Sequence, residues 1–237
     1  GTELFPQSDP PQFQVRLRAP TGTRIERTEV VALKALDVIR KEIGQDNVEI
    51  TTGFIGVQPP SYPVNTIYLW TSGPHEAVLT VALKPEARRN SSILRERLRE
   101  KLHEALPNVA VSFEAGDIVN QVMSLGSPTP VEVAIQGPSL ADDRIHAAKV
   151  HEELAKLPFL RDLQYAQPQD YPTLNIDIDR ERAGQYGLAM QDVARPLIPA
   201  TSSSRFTDPN FWRDPVSGNG FQIQVEIPQN RVQSRAE

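Results

Sequence analysis

Apolar and polar residues alternate along "QFQVRLRA", residues 12–19. Phe13, Val15 and Leu17 fall on one side, and Gln14, Arg16 and Arg18 on the other. A period of two predicts a half-buried strand. The period then lengthens: Ala32, Leu36, Ile39 and Ile43 recur at helical spacing, Thr23 and Glu26 have the spacing of a capping box, and Gly44 stands at the close. A strand at 48–52 and another at 77–84 follow. A second helix opens at Asn90 or Ser91 and carries Leu94, Leu98, Leu102 and Ala105 on one face, and a strand at 109–115 ends the unit. The order β-α-β-β-α-β predicts an α+β fold, a ferredoxin-like split sandwich with both helices on one side of an antiparallel sheet.

A shorter copy comes next. A strand is predicted at 131–136, then Ser139 as N-cap with Asp142 at the box position. A helix over 140–157 follows, lined by Ala147, Val150, Leu154 and Leu157, and then a strand at 160–166. One β-α-β leaves a sheet edge and an apolar helix face uncovered, so something outside this chain should complete it. Leu174, Ile176 and Ile178 alternate with polar residues as a further strand. Asp179 is placed to cap a two-turn helix, and Gly187 to stop it. A short helix broken at Pro196, a turn at "SGNG" and a strand at 221–227 finish the pattern.

Composition narrows the classes. With 39% hydrophobic and 23% charged residues in 237, the chain reads as globular. A net charge of −5 disfavours a nucleic-acid binder. No window of 18 apolar residues and no signal-peptide pattern is present, and the first residue is Gly rather than Met, which predicts an excised piece. The absence of cysteine excludes disulfides and thiolate chemistry.

Candidate chemistry is sparse. His146 and His151 lie five apart on a helix, which turns them away from each other, so neither they nor His75 and His103 predict a metal site. Ser202 to Ser204 lack a nucleophile elbow, and no phosphate-binding glycine loop is present. Asp177 and Asp179 share the polar face of their strand. They suit either cation binding or acid–base work, or else a solvated edge answered by Arg180 and Arg182. The irregular stretch 53–75 holds Phe54, Tyr62, Tyr68 and Trp70, which fit an apolar ligand or simply pack the loop down. No catalytic residue, metal ligand set or cofactor is expected.

Two strings carry a family resemblance. In "ELFPQSDPPQFQVRLRAPTGTRIERTE", Phe5, Pro6, Asp9, Phe13, Val15, Pro20, Gly22 and Thr23 follow an F-x-P-x-x-D-x-G-x-F-x-V, P-x-G-T pattern, with Phe5 one place out of register, and Thr28 falls in the Thr-rich helix after it. The string resembles the opening of the second large periplasmic loop of resistance–nodulation–division efflux transporters. "LNIDIDRERAGQYGLAMQDV" is similar to the entry of the same family's docking domain. The resemblance implies a porter subdomain at 1–126, the first half of a second at 127–170, and the start of a mixed α/β docking domain at 171–237. It implies a trimeric, proton-driven antiporter at the periplasmic face of the bacterial inner membrane. Such a protein exports apolar or amphiphilic compounds with a periplasmic adaptor and an outer-membrane channel. Membrane contact would come only through flanking transmembrane helices.

By the same resemblance, a switch loop begins at Gly53, Phe54, Ile55 and Gly56 and runs through Tyr68 to Trp70. Pocket-lining positions are Gln14 and Arg16, Val111 and Phe113, Asn120 at the subdomain junction, and Gln164 and Ala166. Val111, Gln14, Gln164 and Ala166 depart from the drug-exporter pattern, Pro11 stands at the family's glycine after the acidic turn, and the methionine set of metal exporters is missing. Two other readings remain: a stand-alone ferredoxin-like ligand-binding or regulatory module, and an enzyme built on Asp177 and Asp179. Ala189, where the family places Ser or Thr, predicts a weakly capped restart helix that leans on Asp192.

Overall fold

Phe13, Val15 and Leu17 are all buried in the computed structural model, which describes residues 12–57, 71–87, 91–114, 129, 131–201, 203–204 and 209–228. They belong to strand β1 (Gln12–Arg18), one of the two inner strands of a four-stranded antiparallel sheet. The other elements are α1 (Ile25–Ile43), β2 (Val48–Ile55), β3 (Glu76–Leu83), α2 (Ser91–Ala105) and β4 (Ala110–Glu114). The strand order β2-β3-β1-β4 is that of the β-α-β-β-α-β sandwich predicted from the sequence.

The core lies between one sheet face and the two helices. Val15, Leu17, Leu79 and Val81 meet Ala32, Ala35, Ile39 and Ile43 of α1 and Leu98 and Leu102 of α2. Each fully buried leucine or isoleucine here is worth about 1.5–3 kcal/mol of transfer free energy. Leu36 is only partly buried and Ala35 takes its place, because the buried stripe of α1 runs through Thr28, Ala32, Ala35, Ile39 and Ile43. The expected capping box does not form. The N-cap is Arg24, without a side-chain cap, and the Thr23 hydroxyl donates to the Pro20 carbonyl at 2.6 Å.

β2 extends three residues further than its pattern suggested, so Gly53, Phe54 and Ile55 are strand rather than loop. They pair with Leu79, Val78 and Ala77. Gly56 ends the strand at φ +73°, where its N–H donates to the Glu76 carbonyl. A Cβ there would meet the Ile25 Cδ1 at 2.8 Å. Gly56→Ala should therefore lower stability by about 1–3 kcal/mol, from left-handed strain plus the clash. Urea denaturation measures it; a neutral result would mean that this turn does not need glycine.

The half-unit lacks its sheet. Helix α3 (Leu140–Ala155) is capped by Ser139, whose hydroxyl accepts from the Asp142 N–H, as expected. Residues 131–136 and 160–166, however, carry no strand pairing among the described residues. Val131 is 64% exposed and no residue of α3 is buried. A strand exists only by sharing its hydrogen bonds with a neighbour, and the described residues provide none here.

The chain divides into two compact units: the described residues up to Pro172 form the first, and those from Thr173 onward the second. In the second unit the predicted strand at 173–178 is also unpaired, with Leu174 64% exposed. The caps that follow are as expected. The Asp179 carboxylate accepts from the Arg182 N–H at 3.0 Å and opens α4 (Arg180–Gln185). Gly187, at φ +70°, closes that helix. α5 (Met190–Ala194) has no side-chain cap at Ala189; instead the Asp192 carboxylate accepts from the Ala189 N–H at 2.9 Å. Pro196 separates it from α6 (Leu197–Thr201). A hairpin of β5 (Asn210–Arg213) and β6 (Gly220–Ile223) turns through "SGNG", and Trp212 and Phe221 pair across it.

Candidate functional site

Partners across an antiparallel sheet share a face, so the registers sort the first unit's strand side chains into two sets. Phe54, Val78, Arg16 and Ser112 form one row, and Thr52, Thr80, Gln14 and Glu114 the next, both on the face away from the helices. Gly53, Leu79, Val15 and Phe113, then Ile55, Ala77, Leu17 and Val111, face the helices.

The helix-free face is built on charge. Arg16 donates to Glu114 at 2.5 and 3.2 Å and to Glu76 at 3.3 Å, with all three side chains at most 5% exposed. Arg18 donates to Glu76 at 2.6 Å. Ser72 adds its hydroxyl at 2.6 Å and its N–H at 3.0 Å to the same carboxylate. Burial alone would raise the Glu76 carboxyl, but the donors on Ser72 and Arg18 outweigh it and hold the group below its usual range.

A depressed carboxylate contributes stability above its unfolded value, 4.5, and loses it as the pH falls through the lower folded value. Stability should therefore decline below pH 4.5 more steeply in the native protein than in Glu76→Gln. Urea midpoints measured against pH compare the two, and identical acid limbs would remove Glu76 from the account.

Residues 162–172 lie along this face. The Asp162 carboxylate takes two bonds from Arg99, at 2.6 and 2.8 Å, and one from the Phe113 N–H at 3.0 Å. Gln164 Nε2 donates to the Ser112 hydroxyl at 2.8 Å. Arg18 donates to the carbonyls of Tyr165 and Ala166, and Thr21 to that of Asp170. Beneath the far end sits His75, fully buried, its ring 5.7 Å from that of Tyr171.

The residues singled out from the sequence thus separate. Gln14, Arg16 and Phe54 share the helix-free face, which Gln164 and Ala166 meet through their bonds to Ser112 and Arg18. Val111 is buried in the helix-facing core. Phe113 packs against that core, with its ring 5.9 Å from Phe13 and the Arg99 guanidinium 5.0 Å above it. Gly53 and Ile55 face the same way, so none of these four shares a surface with Arg16. Gly56 marks the end of β2. Tyr68, Trp70 and Asn120 lie outside the described residues, as does Tyr62.

Asp177 is exposed, and Asp179 is occupied as a helix cap. Among the described residues no group of three His, Asp or Glu side chains is placed to hold a metal ion. Sequence reasoning missed Arg18, Glu76, Glu114 and His75. A signal existed for the arginines, since Arg16 and Arg18 occupy alternate positions of one strand, but their partners lie 58 to 98 residues away.

Comparison with known proteins agrees with this architecture. The model of the AcrB/AcrD/AcrF family matches residues 1–232. The "Cation efflux system protein CusA" of Escherichia coli O157:H7 and its counterpart in strain K12 are each 27% identical over 127 residues. The match takes in 52% of this chain but 12% of either relative. Two crystal forms of a heavy metal efflux pump superpose with TM-scores of 0.66 and 0.68 at 20% and 19% identity. They cover 92% of this chain, which spans 22% of theirs. The sandwich and the family match lead to one assignment: the chain belongs to the AcrB/AcrD/AcrF family, the resistance–nodulation–division efflux transporters.

Proposed function

We propose that this chain is the periplasmic part of a trimeric, proton-driven efflux transporter of the inner membrane, and that the helix-free sheet face forms one wall of its substrate cleft. It works by binding and conformational cycling rather than by catalysis. A periplasmic adaptor and an outer-membrane channel take the cargo onward. The observation that carries this reading is the shared face of Gln14, Arg16 and Phe54, with residues 162–172 laid against it. A face that a second element covers through hydrogen bonds opens when that element swings away, a hinge-type motion. No helix among the described residues is long and apolar enough to cross a membrane. On this reading the proton relay lies elsewhere in the protein.

The cargo proposed is apolar or amphiphilic. Phe54 supplies apolar area in the same row as Arg16, across Val78 from it, and the chain has two methionines, Met123 and Met190, and no cysteine, a poor donor set for soft metal ions. The names of the relatives favour a second reading, export of metal cations. Tolerance assays on an efflux-deficient bacterium expressing the full-length protein separate the two. The first reading expects raised tolerance to amphiphilic dyes and detergents, reduced again by Phe54→Ala, and no change towards copper or silver. Raised metal tolerance alone would establish the second.

A further inference from the structure

The turn between β5 and β6 holds the one Asn-Gly pair in the chain, Asn219–Gly220, and the transport reading gives it no part. Both residues are exposed. The turn around them has a set shape. The Asp214 carboxylate accepts from the Val216 and Ser217 N–H groups and from the Ser217 hydroxyl, and the Gly218 N–H donates to the Asp214 carbonyl at 2.9 Å. The Asn219 N–H donates to the Ser217 hydroxyl at 3.3 Å, whereas its side-chain amide makes no hydrogen bond among the described residues. Nothing ties that amide away from the peptide nitrogen that follows it.

The hairpin register leaves that nitrogen out of the ladder. The Asp214 N–H donates to the Asn219 carbonyl at 2.9 Å, so Asp214 and Asn219 form a hydrogen-bonded pair. Opposed residues of an antiparallel ladder alternate, which makes the next pair, Arg213 and Gly220, a non-hydrogen-bonded one. The Gly220 N–H therefore points away from β5, and among the described residues no third strand takes it up. A Cβ at Gly220 would find nothing within 4 Å, so the approach is open. Arg213 faces Gly220 across the pair, and its Nε donates to the Gly218 carbonyl at 3.3 Å. A guanidinium beside this stretch favours loss of a neighbouring amide proton.

We propose that Asn219–Gly220 is a self-modifying site: the Gly220 backbone nitrogen attacks the Asn219 side-chain carbonyl and closes an imide ring that water reopens to aspartate or isoaspartate. As the new N–C bond forms, the bond to the amide nitrogen breaks, and the Gly220 proton leaves with it as ammonia. Water then adds to either ring carbonyl and cleaves the ring. Glycine suits the attack because no side chain crowds its nitrogen. Either product places a new negative charge beside Asp214 in the turn. Isoaspartate also runs the main chain through the former side chain, so β6 enters the ladder one carbon out of step with β5. The inference rests on the hairpin alone and stands whatever the cargo.

Peptide mapping of the whole chain by mass spectrometry tests it. After incubation in mildly alkaline buffer, tryptic peptide 214–231 should gain the mass of one amide-to-acid conversion, at Asn219 and not at Asn230 of the same peptide. Conversion should be about as fast in the folded chain as in chain unfolded by guanidinium, and slower in mildly acidic buffer. Gly220→Ala should slow it manyfold in both states, and the open space at that position lets the variant fold. A folded chain that keeps its amide while the unfolded chain loses it would overturn the proposal. So would equal conversion in Gly220→Ala, or conversion at Asn230 as fast as at Asn219.

Discussion

Arg16→Met should destabilise the protein by about 3–5 kcal/mol, the usual consequence of removing one partner from a buried ion pair. The methionine fills the space of the side chain stem but leaves Glu114 with no bond from a guanidinium and Glu76 with one fewer. Glu76 retains Arg18 and Ser72, so the larger share of the loss falls on Glu114, whose side chain is 3% exposed. The double variant Arg16→Met, Glu114→Met should recover part of the loss, because it removes the orphaned charge. Urea denaturation of the native protein and the two variants gives the comparison. A loss below about 1 kcal/mol, the scale of exposed pairs, would mean that water reaches this face freely.

Asp162→Ala is the second large effect. Asp162 is the single non-glycine among the described residues with positive φ, at 55°, and its carboxylate accepts three hydrogen bonds from Arg99 and Phe113. Losing charge-assisted bonds and placing alanine in the left-handed region should cost about 2–4 kcal/mol together. The Arg99–Asp162 pair is only partly buried, with side chains 14% and 10% exposed, so the lower half of that range is favoured. Asp162→Asn, which tolerates the backbone and retains an acceptor, should lose less than half as much. The Phe113 amide is a direct reporter, and its hydrogen-exchange protection should fall in the alanine variant. Unchanged protection there would mean that residues 162–172 are not fastened through Asp162.

Both variants act on contacts that the sequence does not display. The alternation of Phe13, Val15 and Leu17 and the stripe of Leu98 and Leu102 sufficed for the sandwich, because each pattern is local and its period states which side is buried. The caps at Ser139 and Asp179 were legible for the same reason: a donor three residues away is fixed by helix geometry. Strands 131–136 and 160–166 failed because alternation shows only that a strand would suit the residues, not that a neighbour exists.

The candidate site was legible by half. Resemblance placed Gln14 and Arg16 beside Val111 and Phe113, but a one-residue change of register moves a side chain through the sheet. Only the pairings Gln14 with Glu114 and Val15 with Phe113 put the two sets on opposite faces. The Arg16–Glu76–Glu114 cluster joins three strands, and nothing in any one strand announces it. His75 looked ordinary because its ring partner, Tyr171, lies 96 residues further along.

Chemical protection at position 54 tests the account most directly, since none of these 237 residues is a cysteine and a thiol placed there is the one thiol on this face. In the full-length protein carrying Phe54→Cys, alkylation at that residue would be followed by mass spectrometry with and without an amphiphilic dye. The account predicts markedly slower alkylation with the dye and no effect of copper or silver ions. An alkylation rate indifferent to the dye, or slowed only by the metal ions, would contradict it.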